Sequence, residues 1–201
     1  MIGTRIEVLR RVSGEGLVWV AVRLLLANVV LALCSKIAIP LPWTPVPLTL
    51  QTFGVLLIAV LFGARTSAIA ALLYLVEGAA GLPVFQPFGA TAAARLFGPT
   101  AGYLLAFPVA AFVAGRLIEL LSAHTHGSCG SSSLRGLADW LTIAAALLPG
   151  EVIILLCGWA WLASFVGPGE AARLGVLPFL AGGLVKLAAV TTVARALRPK
   201  S

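Results

Sequence analysis

The sequence predicts an all-α integral membrane protein, organised as a single transmembrane domain over residues 1–201. Of its 201 residues, 60% are hydrophobic and only 10% are charged, whereas a soluble domain carries about a quarter charged residues. So few polar groups cannot cover a globule in water. Because a spanning helix needs about 20 residues, the chain and its loops allow about five to seven spans, and its apolar runs are best divided into six.

The positive charge of the chain follows its predicted topology. The net charge of +7 raises the alternative of nucleic-acid binding. However, the basic residues stand at the ends of apolar runs, as topology signals do. No basic patch is interleaved with exposed aromatic residues, so nucleic acid is not expected as a partner. The three cysteines are widely spaced, which indicates neither a disulfide framework nor a zinc site.

The first span is predicted over residues 17–37. The arginines that precede it make this segment resemble a signal peptide. Against that interpretation, Arg23 interrupts the apolar run, and Leu33 is too large for a lipoprotein cleavage site before Cys34. We therefore expect a retained span, with Arg23 close enough to the cytoplasmic end to reach water.

A proline-rich segment follows and is predicted to be extended, because proline fixes φ and removes a backbone donor. Its prolines are Pro40, Pro42, Pro45 and Pro47, with the interfacial residue Trp43 between them. The second and third spans are predicted over residues 49–62 and 66–80. A tight Gly63-Ala64-Arg65 connection joins them.

Residues 81–103 hold two Gly/Pro clusters between long apolar runs. Irregular backbone at membrane depth is tolerated only where it is buried in protein or lines a cavity. The segment is therefore either a loop at the membrane surface or the wall of a ligand pocket. The fourth span is predicted over residues 101–121.

Residues 122–137 are polar and are predicted to form a flexible cytoplasmic loop between the fourth and fifth helices. His124, His126 and Cys129 lie there, but their spacing matches no usual zinc site and no metal is expected. The fifth span is predicted over residues 138–165, with Pro149 inside it. A Gly-Pro-Gly turn at residues 166–173 leads to the sixth span over residues 174–197.

Charge counting orients the six spans with both termini cytoplasmic. Nine basic residues then lie inside: Arg5, Arg10, Arg11, Arg65, Arg116, Arg135, Arg195, Arg198 and Lys200. Three lie outside: Lys36, Arg95 and Arg173. This distribution satisfies the positive-inside rule, and the inverted arrangement violates it. The proline-rich segment and residues 81–103 then share the outer face, as a binding protein for an external solute needs.

Ionisable groups within spans are costly and are candidates for function. Lys186 follows a Gly-Gly break and needs an anionic partner, which could be Glu151, Glu77 or the carboxylate of a ligand. Glu151 follows Pro149-Gly150, where the helix is loosened, and is either protonated or paired with Lys186. Glu77 lies closer to the outer surface, where a solvated position is equally expected.

Enzyme signatures are absent from the sequence. It contains no HExxH, no GxSxG, no Walker A motif and no GxGxxG that opens a helix after a strand. Since no ATP-binding motif is present, active transport must draw its energy from a partner or an ion gradient.

Several motifs, in this order and spacing, resemble the biotin transporter BioY family, the substrate-binding S components of energy-coupling factor (ECF) transporters. They are Pro45-Val46-Pro47-Leu48-Thr49-Leu50-Gln51-Thr52-Phe53, Tyr74-Leu75-Val76-Glu77-Gly78, Gly81-Leu82-Pro83-Val84-Phe85, Gly98-Pro99-Thr100-Ala101-Gly102-Tyr103-Leu104 and Gly158-Trp159-Ala160-Trp161-Leu162. The resemblance covers residues 24–194.

The resemblance implies a bundle of six helices in the cytoplasmic membrane of a prokaryote, with a biotin pocket that opens outward. The implied partners are biotin, the lipid bilayer, a transmembrane T component and two ABC-type ATPases, with no cofactor. We expect the substrate site to comprise Gln51, Tyr74, Gly81, Phe85, Gln86, Glu151, Gly183 and Lys186. Gln51, Tyr74 and Gln86 would face the ureido ring, and Phe85 would pack on the thiophane ring. Lys186 would face the carboxylate or pair with Glu151.

One departure from the family pattern concerns specificity. The sixth-helix motif resembles Pro-Phe-x-x-Gly-Asp-x-x-Lys, and Gly183 stands at the position of its aspartate. Glu151 could compensate from the neighbouring helix. The alternatives are an S component for another vitamin-like solute or, in a different class, an intramembrane enzyme that uses Glu151.

Overall fold

The computed structural model describes residues 16–88, 92–124 and 132–197, almost all of them helical. The α-helices are α1 (Leu17–Lys36), α2 (Gln51–Ala79), α3 (Ala101–Leu105), α4 (Phe107–His124), α5 (Ser132–Val166), α6 (Pro168–Gly175) and α7 (Leu177–Ala196). Two short strands, β1 (Ala38–Ile39) and β2 (Leu48–Thr49), pair antiparallel between α1 and α2. A 3₁₀ helix spans Ala92–Phe97.

Helix α2 is two helices that are continuous in sequence and separated by a break at Gly63. The backbone of Gly63 has φ 78° and ψ 177°, which is not helical. In a straight helix, Gln51 and Tyr74 would lie about 34 Å apart. Instead, the Gln51 amide donates to the Tyr74 hydroxyl at 2.7 Å. The chain therefore folds back at Gly63, as the predicted connection between the second and third spans requires.

This reversal is closed by α4. The Glu119 carboxylate accepts a hydrogen bond from the backbone N–H of Ala64 at 3.0 Å. Gly115 lies directly against the hairpin, since a Cβ there would be 2.6 Å from the Cα of Ala64. Small residues at the contact let the backbones of α2 and α4 approach closely, as in other membrane helix pairs.

Within the described part of the chain, five helical segments are long and apolar enough to cross a membrane. They are Leu17–Lys36, Gln51–Ala79, Ala101–Leu121, Ala138–Val166 and Leu177–Ala196. Large apolar side chains such as Leu17, Leu25, Leu72 and Val185 are exposed along them. Exposed apolar surface of this kind suits contact with lipid, so the protein is an all-α, multi-pass membrane protein.

Several element boundaries differ from those predicted. The predicted turn at residues 166–173 is mostly the helix α6, because Pro168 suits the first helical position and Gly167 supplies φ 85° before it. The fourth span is interrupted at Ala106, where Pro108 lacks a backbone donor. Helices α4 and α5 extend to His124 and Ser132, so they overlap the predicted loop at residues 122–137. His126 and Cys129 lie outside the described residues.

The proline-rich segment caps one end of the bundle. Strand β1 pairs with β2, so that Ala38 lies opposite Thr49 and Ile39 opposite Leu48. The segment between the strands is extended and turns without forming a helix. The Thr44 hydroxyl donates to the Leu174 carbonyl at 2.8 Å, which ties it to α6. Residues 81–88 and 92–100 lie at the same end, where these segments and the proline-rich segment meet over a cavity.

Candidate functional site

A cavity lies between the helices at the end that carries the two irregular segments. Its apolar lining comes from Val46, Pro47, Leu104, Phe107, Ile154, Leu155 and Phe179. Its polar lining comes from Thr49, Gln51, Thr52, Gln86, Arg95, Thr100, Tyr103, Glu151 and Lys186. The cavity between these groups has a volume of about 50 Å³. The cavity is therefore narrow, mixed in polarity and mostly buried.

Lys186 on α7 is fixed by the start of α2. Its ammonium group donates to the Thr49 carbonyl at 3.0 Å and to the Thr52 hydroxyl at 2.8 Å. An ammonium group has three protons to donate, so one remains beyond these two bonds. Among the described residues, no carboxylate forms an ion pair with Lys186. Of the three alternatives for its anionic partner, neither Glu151 nor Glu77 is therefore paired with it.

Glu151 on α5 is 5% exposed and also lines the cavity. Its carboxylate lies against Gly183, where an added Cβ would be 2.8 Å from Oε1. No described group donates a hydrogen bond to Oε2. Glycine at position 183 therefore makes the space that Glu151 occupies, although Gly183 itself does not line the cavity.

Gln51 and Tyr74 join the two halves of α2 beneath the cavity. Gln51 lines the cavity, whereas Tyr74 is fully buried behind it. The Tyr74 hydroxyl receives the Gln51 amide proton and donates its own to the Val84 carbonyl at 3.1 Å. Tyr74 therefore positions Gln51 and the 81–88 segment without itself lining the cavity.

Residues 81–88, which we call the outer strap, are held by the end of α1. The Ser35 hydroxyl donates to the Val84 carbonyl at 2.5 Å. The Lys36 ammonium group donates to the carbonyls of Pro83 and, at 2.8 Å, of Phe85. These bonds hold an irregular backbone that no helix or strand supports, so the form of the outer strap depends on Ser35 and Lys36.

Phe85 and Gly81 shape the outer strap without lining the cavity. The Phe85 ring packs edge-on against Tyr74, with centroids 5.3 Å apart. It also fills the space over Gly78, where an added Cβ would clash with the ring. Gly81 has φ 96°, which permits the turn out of α2. The structure thus brings four predicted site residues to the cavity, Gln51, Gln86, Glu151 and Lys186. The other four, Tyr74, Gly81, Phe85 and Gly183, do not line it.

Gln86 and Arg95 form the polar outer wall. Gln86 is buried, and its Oε1 has no described hydrogen-bond donor. Arg95, in the 3₁₀ helix, is 4% exposed and donates to the carbonyls of Gln86, at 3.3 Å, and Phe88, at 2.5 Å. Burial lowers the pKa of the Arg95 guanidinium from its ordinary value. Because that ordinary value is very high, the group stays cationic.

Arg95 is a cavity residue that the sequence analysis missed. The sequence predicts it only as a charge on the outer face, together with Lys36 and Arg173. Its placement inside a Gly/Pro-rich segment, with an apolar residue on either side, was the available signal. Thr49, Thr52 and Tyr103 were also missed as lining residues, although each belongs to a motif quoted above. Glu77, by contrast, lies away from the cavity lining and accepts a hydrogen bond from Asn28 at 3.0 Å.

Comparisons with known proteins agree with this architecture. The model of the BioY family matches residues 10–201. "Probable biotin transporter BioY" of Pyrococcus horikoshii is 39% identical over 154 residues, 77% of this chain and 82% of the relative. "Biotin transporter BioY" of Rhizobium etli is 35% identical over 174 residues, 86% of this chain and 89% of the relative.

A third relative and a solved structure extend the agreement. "Biotin transporter BioY2" of Lactococcus lactis is 37% identical over 176 residues, which are 86% of either chain. The crystal structure of an S component for biotin from an ECF-type ABC transporter superimposes with a TM-score of 0.75. It is 23% identical in sequence and 90% of each chain is covered, so this likeness concerns the fold.

Proposed function

The chain belongs to the BioY family, and on this premise we propose that it binds biotin at the cavity and works in biotin uptake. It would act as the S component of an ECF-type transporter in the cytoplasmic membrane of a prokaryote. The observation that carries the proposal is the cavity itself, which places buried ammonium, carboxyl, amide and guanidinium groups beside apolar walls. Binding sites for small molecules combine apolar linings with a few placed polar groups in this way.

The chemistry of biotin matches this lining. Biotin has a polar ureido ring, an apolar thiophane ring and tail, and a carboxylate. Leu104, Ile154 and Phe179 offer apolar contact, while Lys186 and Arg95 offer positive charge. The cavity, at about 50 Å³, is smaller than the range of about 300–1,000 Å³ that small-molecule pockets occupy. Side chains must therefore move apart to admit biotin.

Six segments crossing the membrane, with both termini cytoplasmic, suit this function. The reversal at Gly63 supports six crossings, since it divides α2 into two antiparallel halves. The basic residues then lie mainly inside, and the proline-rich segment and the outer strap face outward. In this arrangement the chain is a single transmembrane domain, and the connection between α4 and α5 is a cytoplasmic loop.

Energy for uptake would come from partners. The sequence contains no ATP-binding motif. We propose that a transmembrane T component and two ABC-type ATPases complete the transporter. The family consists of transporters rather than enzymes, so the alternative of an intramembrane enzyme that uses Glu151 is set aside.

Equilibrium binding tests the proposal. Isothermal titration of the purified protein in detergent should show saturable binding of one biotin per chain. Lipoate, thiamine and riboflavin should fail to displace radiolabelled biotin. Absence of biotin binding at micromolar concentration would contradict the proposal. Because Gly183 replaces an acidic residue of the family motif, displacement by one of these competitors would instead favour another vitamin-like solute.

A further inference from the structure

We propose that Glu151, seated against Gly183, recognises the N–H groups of the ligand's polar ring, and that these two residues together set the specificity of the site. The inference rests on the proposed function and deepens it. It assigns the acceptor that recognises the ring to Glu151 on α5. It also requires that position 183 on α7 has no side chain, because Glu151 occupies that space.

The position of Glu151 is the first argument. Its side chain is 5% exposed and lines the cavity. A buried polar group normally has a hydrogen-bond partner, and yet no described group donates to Oε2. A ligand N–H at this point would satisfy it. Glu151 is thus a buried acceptor at the cavity wall, without a described partner on Oε2.

Lys186 does not donate a hydrogen bond to Glu151 in place of the ligand. Its ammonium group is held by Thr49 and Thr52, and no ion pair joins it to Glu151 within the described structure. The carboxylate is therefore not committed to an internal salt bridge. It remains available to a donor that enters the cavity.

The neighbouring charges decide which part of a ligand fits beside Glu151. A carboxylate of the ligand would meet a like charge there or would need a proton. An N–H group makes a favourable hydrogen bond with either oxygen of the carboxyl group, and Lys186 nearby can donate to a carbonyl. A cyclic urea carries both N–H donors and a carbonyl acceptor, so the polar ring of biotin matches this corner of the cavity.

Gly183 is the second argument. An added Cβ at this position would lie 2.8 Å from Oε1 of Glu151, closer than carbon and oxygen atoms approach without repulsion. Any side chain at position 183 therefore displaces the carboxyl group. The same geometry means that an acidic side chain at 183 would bring its own oxygens close to the point that Glu151 now occupies.

The test measures biotin affinity by titration for the wild type and for Glu151→Gln, Glu151→Ala, Gly183→Ala, Gly183→Asp and the double variant Glu151→Ala/Gly183→Asp. We expect Glu151→Ala to weaken binding about tenfold or more, and Gly183→Ala and Gly183→Asp also to weaken it. The double variant should recover to within about threefold of the wild type, since one carboxyl group then replaces the other. Val152→Ala, whose side chain is 41% exposed on the same helix, is the matched control and should bind normally.

A second ligand identifies the group that Glu151 contacts. Biotin methyl ester keeps the ureido ring and has no carboxylate. Glu151→Ala should weaken it by the same factor as biotin. If Glu151→Ala weakens the binding of biotin but not of the ester, Glu151 acts on the ligand's carboxylate and the inference is overturned.

The outcomes separate this inference from the function on which it rests. No binding of biotin by the wild type would overturn the proposed function and the inference with it. Normal binding by the wild type, together with unchanged affinity in both Glu151→Gln and Glu151→Ala, would overturn the inference alone. Glu151→Gln preserves size, and the thermal unfolding midpoint of each variant checks that it is folded.

Discussion

Lys186 illustrates how a single side chain in the bilayer is made tolerable. A charged group in a spanning helix is costly unless it is paired, hydrogen-bonded or facing a polar cavity. Here the backbone carbonyl of Thr49 and the hydroxyl of Thr52 take two of its protons. These acceptors are neutral, so the positive charge is not cancelled by them. We therefore expect the charge to act on a ligand in the cavity.

Replacement of Lys186 by alanine should weaken biotin binding about tenfold or more, since a hydrogen bond to a charged group contributes about 1.5–3 kcal/mol. Isothermal titration of Lys186→Ala and Lys186→Met measures the loss. The adjacent Val185→Ala is the control, because its side chain is 70% exposed and points away from the cavity. Unchanged affinity in both Lys186 variants would reject a role for this group in binding.

At the scale of elements, the break in α2 decides the architecture of the bundle. A continuous helix of 29 residues would run about 43 Å and would overshoot the hydrocarbon core of a bilayer, which is about 30 Å thick. The turn at Gly63 instead makes two shorter helices side by side. Its φ of 78° and ψ of 177° fall in a region that essentially only glycine occupies.

Gly63→Ala should therefore lower the stability of the protein by about 1–3 kcal/mol. The added Cβ would also lie 2.7 Å from the Glu119 carboxylate that caps the turn. Thermal unfolding in detergent should show a lower midpoint for this variant. Gly169→Ala serves as the control, because it has no positive φ and nothing lies within 4 Å of the added Cβ. Equal midpoints for the two variants would argue against a strained turn at Gly63.

The outer strap is the second element whose form depends on its neighbours. Its carbonyls are held by Ser35, Lys36 and Tyr74 rather than by a helix or a sheet. Backbone groups that lack regular partners need such side chains when they are buried. The wall of the cavity is therefore only as stable as these few bonds.

Lys36→Ala should loosen the outer strap, because the carbonyls of Pro83 and Phe85 lose their donor. Hydrogen–deuterium exchange of residues 81–88, followed by mass spectrometry, should become faster. Arg173→Ala removes another basic residue at the same end, where Arg173 forms only an exposed pair with Glu170. It should leave exchange in the outer strap unchanged. Equal exchange in Lys36→Ala and the wild type would show that Lys36 does not hold the strap.

At the scale of the whole molecule, the proposed orientation places both irregular segments and the mouth of the cavity outside. The cap formed by the proline-rich segment and the outer strap shares one end of the bundle with Arg95 and Gln86. The Gly63 turn and its capping residue Glu119 then lie at the cytoplasmic end. An S component needs this arrangement, because its solute arrives from outside and its energy comes from partners inside.

Cysteine labelling in intact cells tests this orientation. With Cys34, Cys129 and Cys157 replaced by alanine, Leu82→Cys should react with a membrane-impermeant maleimide. Arg65→Cys, beside the Gly63 turn, should react only after the cells are opened. Both side chains are exposed at their ends of the bundle. The reverse pattern of labelling would invert the topology.

The sequence by itself determined the class of the protein, because composition, span length and the placement of basic residues do not depend on how the helices pack. It also predicted a chain reversal after Phe62. It singled out Glu151 and Lys186, since ionisable groups in apolar helices are rare, and Gln51 and Gln86, since they are polar groups beside irregular backbone. Only the tertiary structure decided what those groups contact. Lys186 meets Thr49 and Thr52 rather than Glu151, and Arg95 turns inward from an outer segment, because such contacts join residues far apart in the chain and depend on how the helices pack. Glu151 fits against Gly183 for the same reason, and no spacing along the sequence predicts that fit.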